Sequence, residues 1–390
     1  MQDDTATAAG TGRIDILDLY KGMAILGVII THLVLLQNGT DGYSNEPSAF
    51  VQFMYAGLIM FIVVSGYFYK PGRSYMENVR RRVVPLFVMF VVLTILMTVI
   101  LYLYLIALGY DLSQYSLADV LLTAVLGKGY AFVDFTSPEF LPYTHMMAPF
   151  QATIQMYYLG VLCIAYLIFF AVVDRVIGDW RKMLATALIL FFISSAYIEF
   201  VHLQTPMYIH YAPMFAGFLM VGAILKKFDF ALFLQNGLRD RRYWIGFVIA
   251  IAIAALMLFL FPANTEITIG VIGDYGIFSV FTFAAVALSC GIVQLFASAI
   301  LLRLPIWNRL FIHMGKEVLP LFLYHMLVCK MLIAPFVTLD TTQQIPLPAG
   351  EALIAAFATV AVILVLTYFY RKLRVHCSGD DPPRPLPTPI

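Results

Sequence analysis

Residues 18–32 read DLYKGMAILGVIITH. A carboxylate and an ammonium group, Asp18 and Lys21, stand three residues apart, a run of apolar side chains follows, and a histidine, His32, closes it. Acidic and basic residues at i and i+3 share one face of a helix. At a rise of about 1.5 Å per residue, His32 lies roughly 16 Å beyond Lys21 along that helix. If the run crosses a bilayer, an ionisable ring is carried to its middle or outer half.

The composition says that the run does cross. Of the 390 residues 62% are hydrophobic and only 12% charged, with a mean hydropathy of +0.87; such a chain has too little polar surface to cover a soluble globule. The expected fold class is an all-α integral membrane protein. Apolar stretches long enough to span a hydrocarbon core fall near 19–37, 50–70, 83–108, 149–173, 183–201, 207–225, 243–262, 276–302, 316–338 and 350–370, a bundle of about ten transmembrane helices. The stretch 117–127 is apolar but too short, and is expected to lie on the surface or re-enter.

The basic residues test this count. Between the first and second, third and fourth, fifth and sixth, seventh and eighth, and ninth and tenth stretches the only Lys or Arg is Lys128. Elsewhere Arg13 and Lys21 precede or open the first span, and the rest cluster at Lys70 to Arg82, Arg175 to Lys182, Lys226 to Arg242, Arg303 to Lys316 and Arg371 to Arg374, with Lys330 inside a span and Arg384 in the tail. This alternation is the positive-inside pattern for an even number of spans with both termini cytoplasmic. The chain divides into a cytoplasmic N-terminal segment 1–18, a ten-helix domain 19–372 and a Pro-rich cytoplasmic tail 373–390. Asp3 and Asp4 stand where a leader would be basic, so no cleavable signal is expected. Cys163, Cys290, Cys329 and Cys377 show no paired spacing, and neither disulfides nor a metal site is expected. Basic residues sorted by membrane side argue against a nucleic-acid partner.

Ionisable groups at membrane depth are costly and mark sites. His325, in LPLFLYHMLV, reaches a depth comparable to that of His32, although a lone membrane histidine serves equally well as a hydrogen bond between helices. In FIVVSGYFYKP, Ser65 and Gly66 interrupt an apolar helix; small residues there admit a ligand, or simply a neighbouring helix. Arg80, Arg81 and Arg82 precede Pro85 at the cytoplasmic mouth of the third span, where guanidinium groups suit the phosphates of a nucleotide-like donor or anchor the topology. On the outer side Tyr143, His145 and Glu199, with His202, Tyr208 and His210, are candidates for an acceptor surface; the competing reading is an interfacial aromatic belt. A metal site from Glu199, His202 and His210 has no support in their spacing.

Taken together, these motifs resemble the acyltransferase 3 family. Asp18, Lys21 and His32 match its opening D-x-x-[RK] and the histidine eleven residues later. Phe61, Ser65, Gly66 and Tyr67 match its second-helix signature, with Met60 for one Phe, and Arg80 to Leu86 match its basic motif before Pro-Leu. Gly315, Leu319, Leu323 and His325 fit a later motif that has Val318 for Ser and Phe322 for Tyr. The resemblance implies a multi-pass enzyme of a bacterial plasma membrane that takes an acyl group, the simplest being acetyl, from cytosolic acyl-CoA. The acceptor would be a hydroxyl of an extracytoplasmic glycan or lipid-linked sugar. His32 would be the general base, with Lys21 and Asp18 beside it; Arg80, Arg81, Arg82, Ser65 and Gly66 would hold the donor; His325, His145, Tyr143 and Glu199 would line the acceptor site. Partners would be acyl-CoA, the acceptor and the bilayer, and a homodimer is left open. The rival is a proton-coupled transporter or flippase using the buried His, Lys and Asp. Transporters often carry duplicated halves, and the opening motif has no second copy in the C-terminal half.

Overall fold

The computed structural model describes residues 14–35, 49–109, 111–113, 116–126, 156–201, 205–261, 275–333 and 349–378. Among these residues the regular structure is helical throughout. In chain order the helices are α1 (Asp15–Leu35), α2 (Ala49–Tyr67), α3 (Tyr75–Ala107), α4 (Leu117–Leu126), α5 (Tyr157–Val176), α6 (Trp180–Val201) and α7 (Ala212–Lys227). There follow α8 (Phe230–Asn236), α9 (Arg241–Leu260), α10 (Ser279–Leu301), α11 (Pro305–Lys316), α12 (Val318–Ile333) and α13 (Ala349–Ser378).

Each of the ten expected apolar stretches overlaps one of these helices. Seven of them, α3, α5, α6, α7 with its lead-in turn, α9, α10 with its lead-in turn, and α13, have the length and apolar content to cross a membrane. Within the residues whose side chains are described, the apolar runs of α2 and α12 are Phe53–Tyr67 and Val318–Cys329, and α4 is the short eleventh piece. Helices of this composition satisfy every backbone polar group within the segment, which hydrocarbon requires. The outward face of α9 is accordingly apolar, with Val248 and Phe259 exposed.

Among the boundaries that differ from the sequence reading, three bear on the site. Helix α1 begins at Asp15, because Asp15 and Asp18 in its first turn favour the positive N-terminal end of the helix dipole. Helix α13 continues to Ser378, into the segment expected as tail. The stretch 316–338 does not start a helix at Lys316; that residue ends α11, an amphipathic helix seated before α12.

At the centre, α1 packs on α2, α10, α11, α12 and α13, while α7 packs on α2, α5 and α6. Two of these crossings are made by glycines. A β-carbon on Gly66 would lie 1.9 Å from the Leu219 carbonyl oxygen, and one on Gly222 would lie 1.8 Å from that of Val63, so α2 and α7 touch backbone to backbone. Helices α1 and α11 do the same through Gly22, whose β-carbon would lie 2.0 Å from the Phe311 oxygen. Small residues at a crossing allow this approach, and dispersion over the close surfaces is what holds helices together in lipid.

The ends of the helices sort by charge. Hydrogen bonds join the ends of α2, α5 and α7, since Tyr69 bonds Asp174 and Lys226 bonds Tyr69, and an ion pair joins Glu317 to Arg371. This is the basic end of the bundle. At the opposite end Ser195 donates to the Ile277 carbonyl and Tyr104 to that of Met331.

Candidate functional site

At the basic end of α1 the Lys21 ammonium sits 2.8 Å from a carboxylate oxygen of Asp18. Both residues are buried, Asp18 4% and Lys21 2% exposed. The crossing with α11 helps to bury them, since Gly315 lies on the backbone of Asp18 and Gly22 on that of Phe311. The Lys21 ammonium also lies 6.0 Å from the centre of the Phe68 ring, within cation–π range. Removing two charges from water costs several kcal/mol per ion, which their attraction repays only in good geometry. A pair kept at that cost inside a membrane protein is a functional-site candidate. His32 lies on the same helix, about three turns further on; its side chain falls outside the described residues, as do Tyr143, His145 and His202.

The three arginines separate. One turn into helix α3 comes a π turn, Val79–Val83, whose wider winding changes which residues share a face. Arg80 and Arg81 are exposed, and Arg81 pairs with Glu77 at 3.1 Å on the surface, with Arg73 at 3.8 Å on the same carboxylate. Arg82 turns inward: it donates to the Phe68 carbonyl at 3.2 Å, and its guanidinium lies 6.0 Å from the Tyr166 ring. The Lys226 ammonium donates to the next carbonyl, that of Tyr69, and the charges of Lys70 and Arg82 both bear on it. Tyr69 in turn donates to Asp174 at 2.5 Å; burial first, and then Asp174, push its phenol above the usual range. The carbonyls of Phe68 and Tyr69 are thus gripped by cations from α3 and α7. Lys226, Lys70 and Tyr69 were not singled out in the sequence, where the two lysines read as topology anchors.

Ser65 and Gly66 stand one turn before this segment. The Ser65 hydroxyl donates to the Phe61 carbonyl of its own helix at 2.8 Å, and Gly66 makes the contact with α7. In this structure Gly66 makes the helix crossing, while the Ser65 hydroxyl is bonded within its own helix.

His325 is buried, 4% exposed. Its Nδ1 lies 2.7 Å from the Phe322 carbonyl oxygen and 3.2 Å from that of Leu321. A carbonyl only accepts, so Nδ1 carries a proton, and in the neutral ring Nε2 is the nitrogen with the lone pair. Helix α12, which carries His325, packs on α1.

At the opposite end the structure brings Tyr208 and His210 together in the turn Pro206–Tyr211 that leads into α7. Met207 and Tyr208 both adopt left-handed backbone angles, φ 54° and 53°, which cost non-glycine residues of order 1–3 kcal/mol each. Contacts around His210 hold the turn: its Nδ1 lies 2.9 Å from the Thr205 hydroxyl, its ring stacks on Tyr197 with centres 5.5 Å apart, and its carbonyl accepts from Ser194. Glu199 is half-buried beside Gly276, whose β-carbon would stand 3.6 Å from either carboxylate oxygen. Among the described residues no group of three His, Cys, Asp or Glu side chains is arranged to hold a metal ion.

Comparison with known families matches residues 14–369, nearly the whole chain, to the model described as an acyltransferase domain. Curated proteins and solved structures give no match.

Proposed function

Because the chain belongs to the acyltransferase 3 family, we propose that it moves an acyl group, most simply acetyl, from cytosolic acyl-CoA to a hydroxyl of an extracytoplasmic glycan or lipid-linked sugar. The observation that carries this reading is the buried Asp18–Lys21 pair on the helix that bears His32. In the reaction His32 takes the proton of the acceptor hydroxyl as general base. The oxygen attacks the thioester carbonyl, the tetrahedral intermediate expels the CoA sulfur, and the imidazolium returns the proton to that thiolate. Lys21, held by Asp18, supplies fixed positive charge for the oxygen on which charge develops or for the donor. The basic end faces the cytoplasm by the positive-inside rule, and there Arg82, Lys70 and Lys226 offer charge to the phosphates of CoA. The turn around His210, at the other end, supports an acceptor surface.

The test is acyl transfer from labelled acetyl-CoA in membranes holding matched amounts of wild-type or His32→Ala protein, with surface glycan as acceptor. Labelling by wild type alone supports the reading; equal labelling by both removes His32 from the mechanism. Absence of labelling together with absence of acyl-CoA binding overturns the enzyme reading.

A further inference from the structure

Helix α11 has two unlike faces at the basic end of the bundle. Phe311, Met314 and Gly315 are buried, and the helix packs on α1. The first turn is uncovered: Leu304, Ile306 and Trp307 are exposed, Ile306 by 80%. Apolar surface left in water is unfavourable by about 25 cal/mol per Å². Such surface, gathered on one turn rather than scattered, marks a contact. Arg303 and Arg309 flank the turn and are also exposed, and no carboxylate occurs from Arg303 through Lys316.

The place of the helix selects the occupant. It joins the end of α10 to the start of α12, so it sits where two apolar helices leave the hydrocarbon, and the leaflet surface is within reach of its first turn. Aromatic and aliphatic side chains collared by guanidinium groups match an acyl boundary roofed by phosphates. Each cation near an anionic leaflet contributes attraction that neutral lipid does not provide.

We propose that the first turn of α11 docks on the anionic leaflet at the basic end, with Ile306 and Trp307 at the acyl boundary and Arg303 and Arg309 on lipid phosphates. The test uses the full chain with Trp307 as its sole tryptophan, through Trp180→Phe and Trp244→Phe, in nanodiscs with brominated acyl chains. Phosphatidylcholine alone is compared with a mixture containing phosphatidylglycerol. The expected result is quenching of Trp307, stronger in the mixture, with a several-fold higher phosphatidylglycerol fraction needed once Arg303→Gln and Arg309→Gln are introduced. Both arginines are exposed, so these variants keep the fold; Ile306→Cys carrying a polarity-sensitive label reports independently of the tryptophan changes. Equal quenching in the two lipids overturns anionic recognition. Emission open to aqueous iodide places the turn in water. Shielding from both lipid and iodide, with disulfide formation between Ile306→Cys copies, makes the face an interface between copies.

Discussion

Gly315 rests on the backbone of Asp18 so closely that a β-carbon at 315 would stand 1.7 Å from the Asp18 carbonyl oxygen. The helix that holds the buried ion pair is therefore seated by a glycine on another helix. Gly315→Ala should push α11 off α1 and lower stability by about 1–3 kcal/mol, the usual cost of overpacking, with loss of transfer. Gly178→Ala, at a position with open space around it, should leave both unchanged. Thermal unfolding in detergent, followed by size exclusion, checks the contrast.

Breaking the Asp18–Lys21 pair from one side leaves a buried charge without its partner. Lys21→Met or Asp18→Asn alone should cost roughly 3–5 kcal/mol, whereas the double variant should recover most of that stability. On the proposed mechanism the double variant stays inactive. A stable double variant with normal transfer would reduce the pair to a structural role.

Arg81 and Arg82 are neighbours in sequence with different predicted effects. Arg81→Ala removes an exposed pair with Glu77, an interaction worth about 0.2–1 kcal/mol at most, and should leave donor affinity unchanged. Arg82→Ala removes a charged hydrogen bond of about 1.5–3 kcal/mol from the segment that Lys226 also grips. Acyl-CoA binding by calorimetry should weaken roughly tenfold or more in that variant; equal affinity in the two variants would contradict the assignment.

The left-handed turn at Met207 carries a cost that a permissive residue relieves. Met207→Gly should raise the unfolding midpoint by an amount corresponding to about 1 kcal/mol, unless the loss of the Met207 methyl contact at Gly160 exceeds it. Met207→Asn, which tolerates the same backbone and keeps some bulk, separates the two effects. If neither variant is stabilised, the turn is not strained.

The sequence shows the helices plainly because hydrocarbon demands long apolar runs, and 183–201, for example, forms α6. The pairing of Asp18 with Lys21 follows from their i, i+3 spacing. The inward turn of Arg82 does not, since a π turn in α3 decides which arginine faces the bundle. Nor does α11: twelve mixed residues between two spans read as a basic loop, and only its seat against Gly22 and Asp18 shows a helix. Gly66 was visible as a small residue, but its partner Leu219 lies more than a hundred and fifty positions away. Crossings of that kind belong to the tertiary structure.

The backbone contact of α2 with α7 at Gly66 and Gly222 bears on how substrates reach the interior. At these two points the helices meet without intervening side chains, so sliding past one another or swinging apart would break both contacts. A carrier that works by rocking one half of the molecule against the other needs its pivot elsewhere. On the proposed function, a passage for the acyl group opens beside this pair rather than through it.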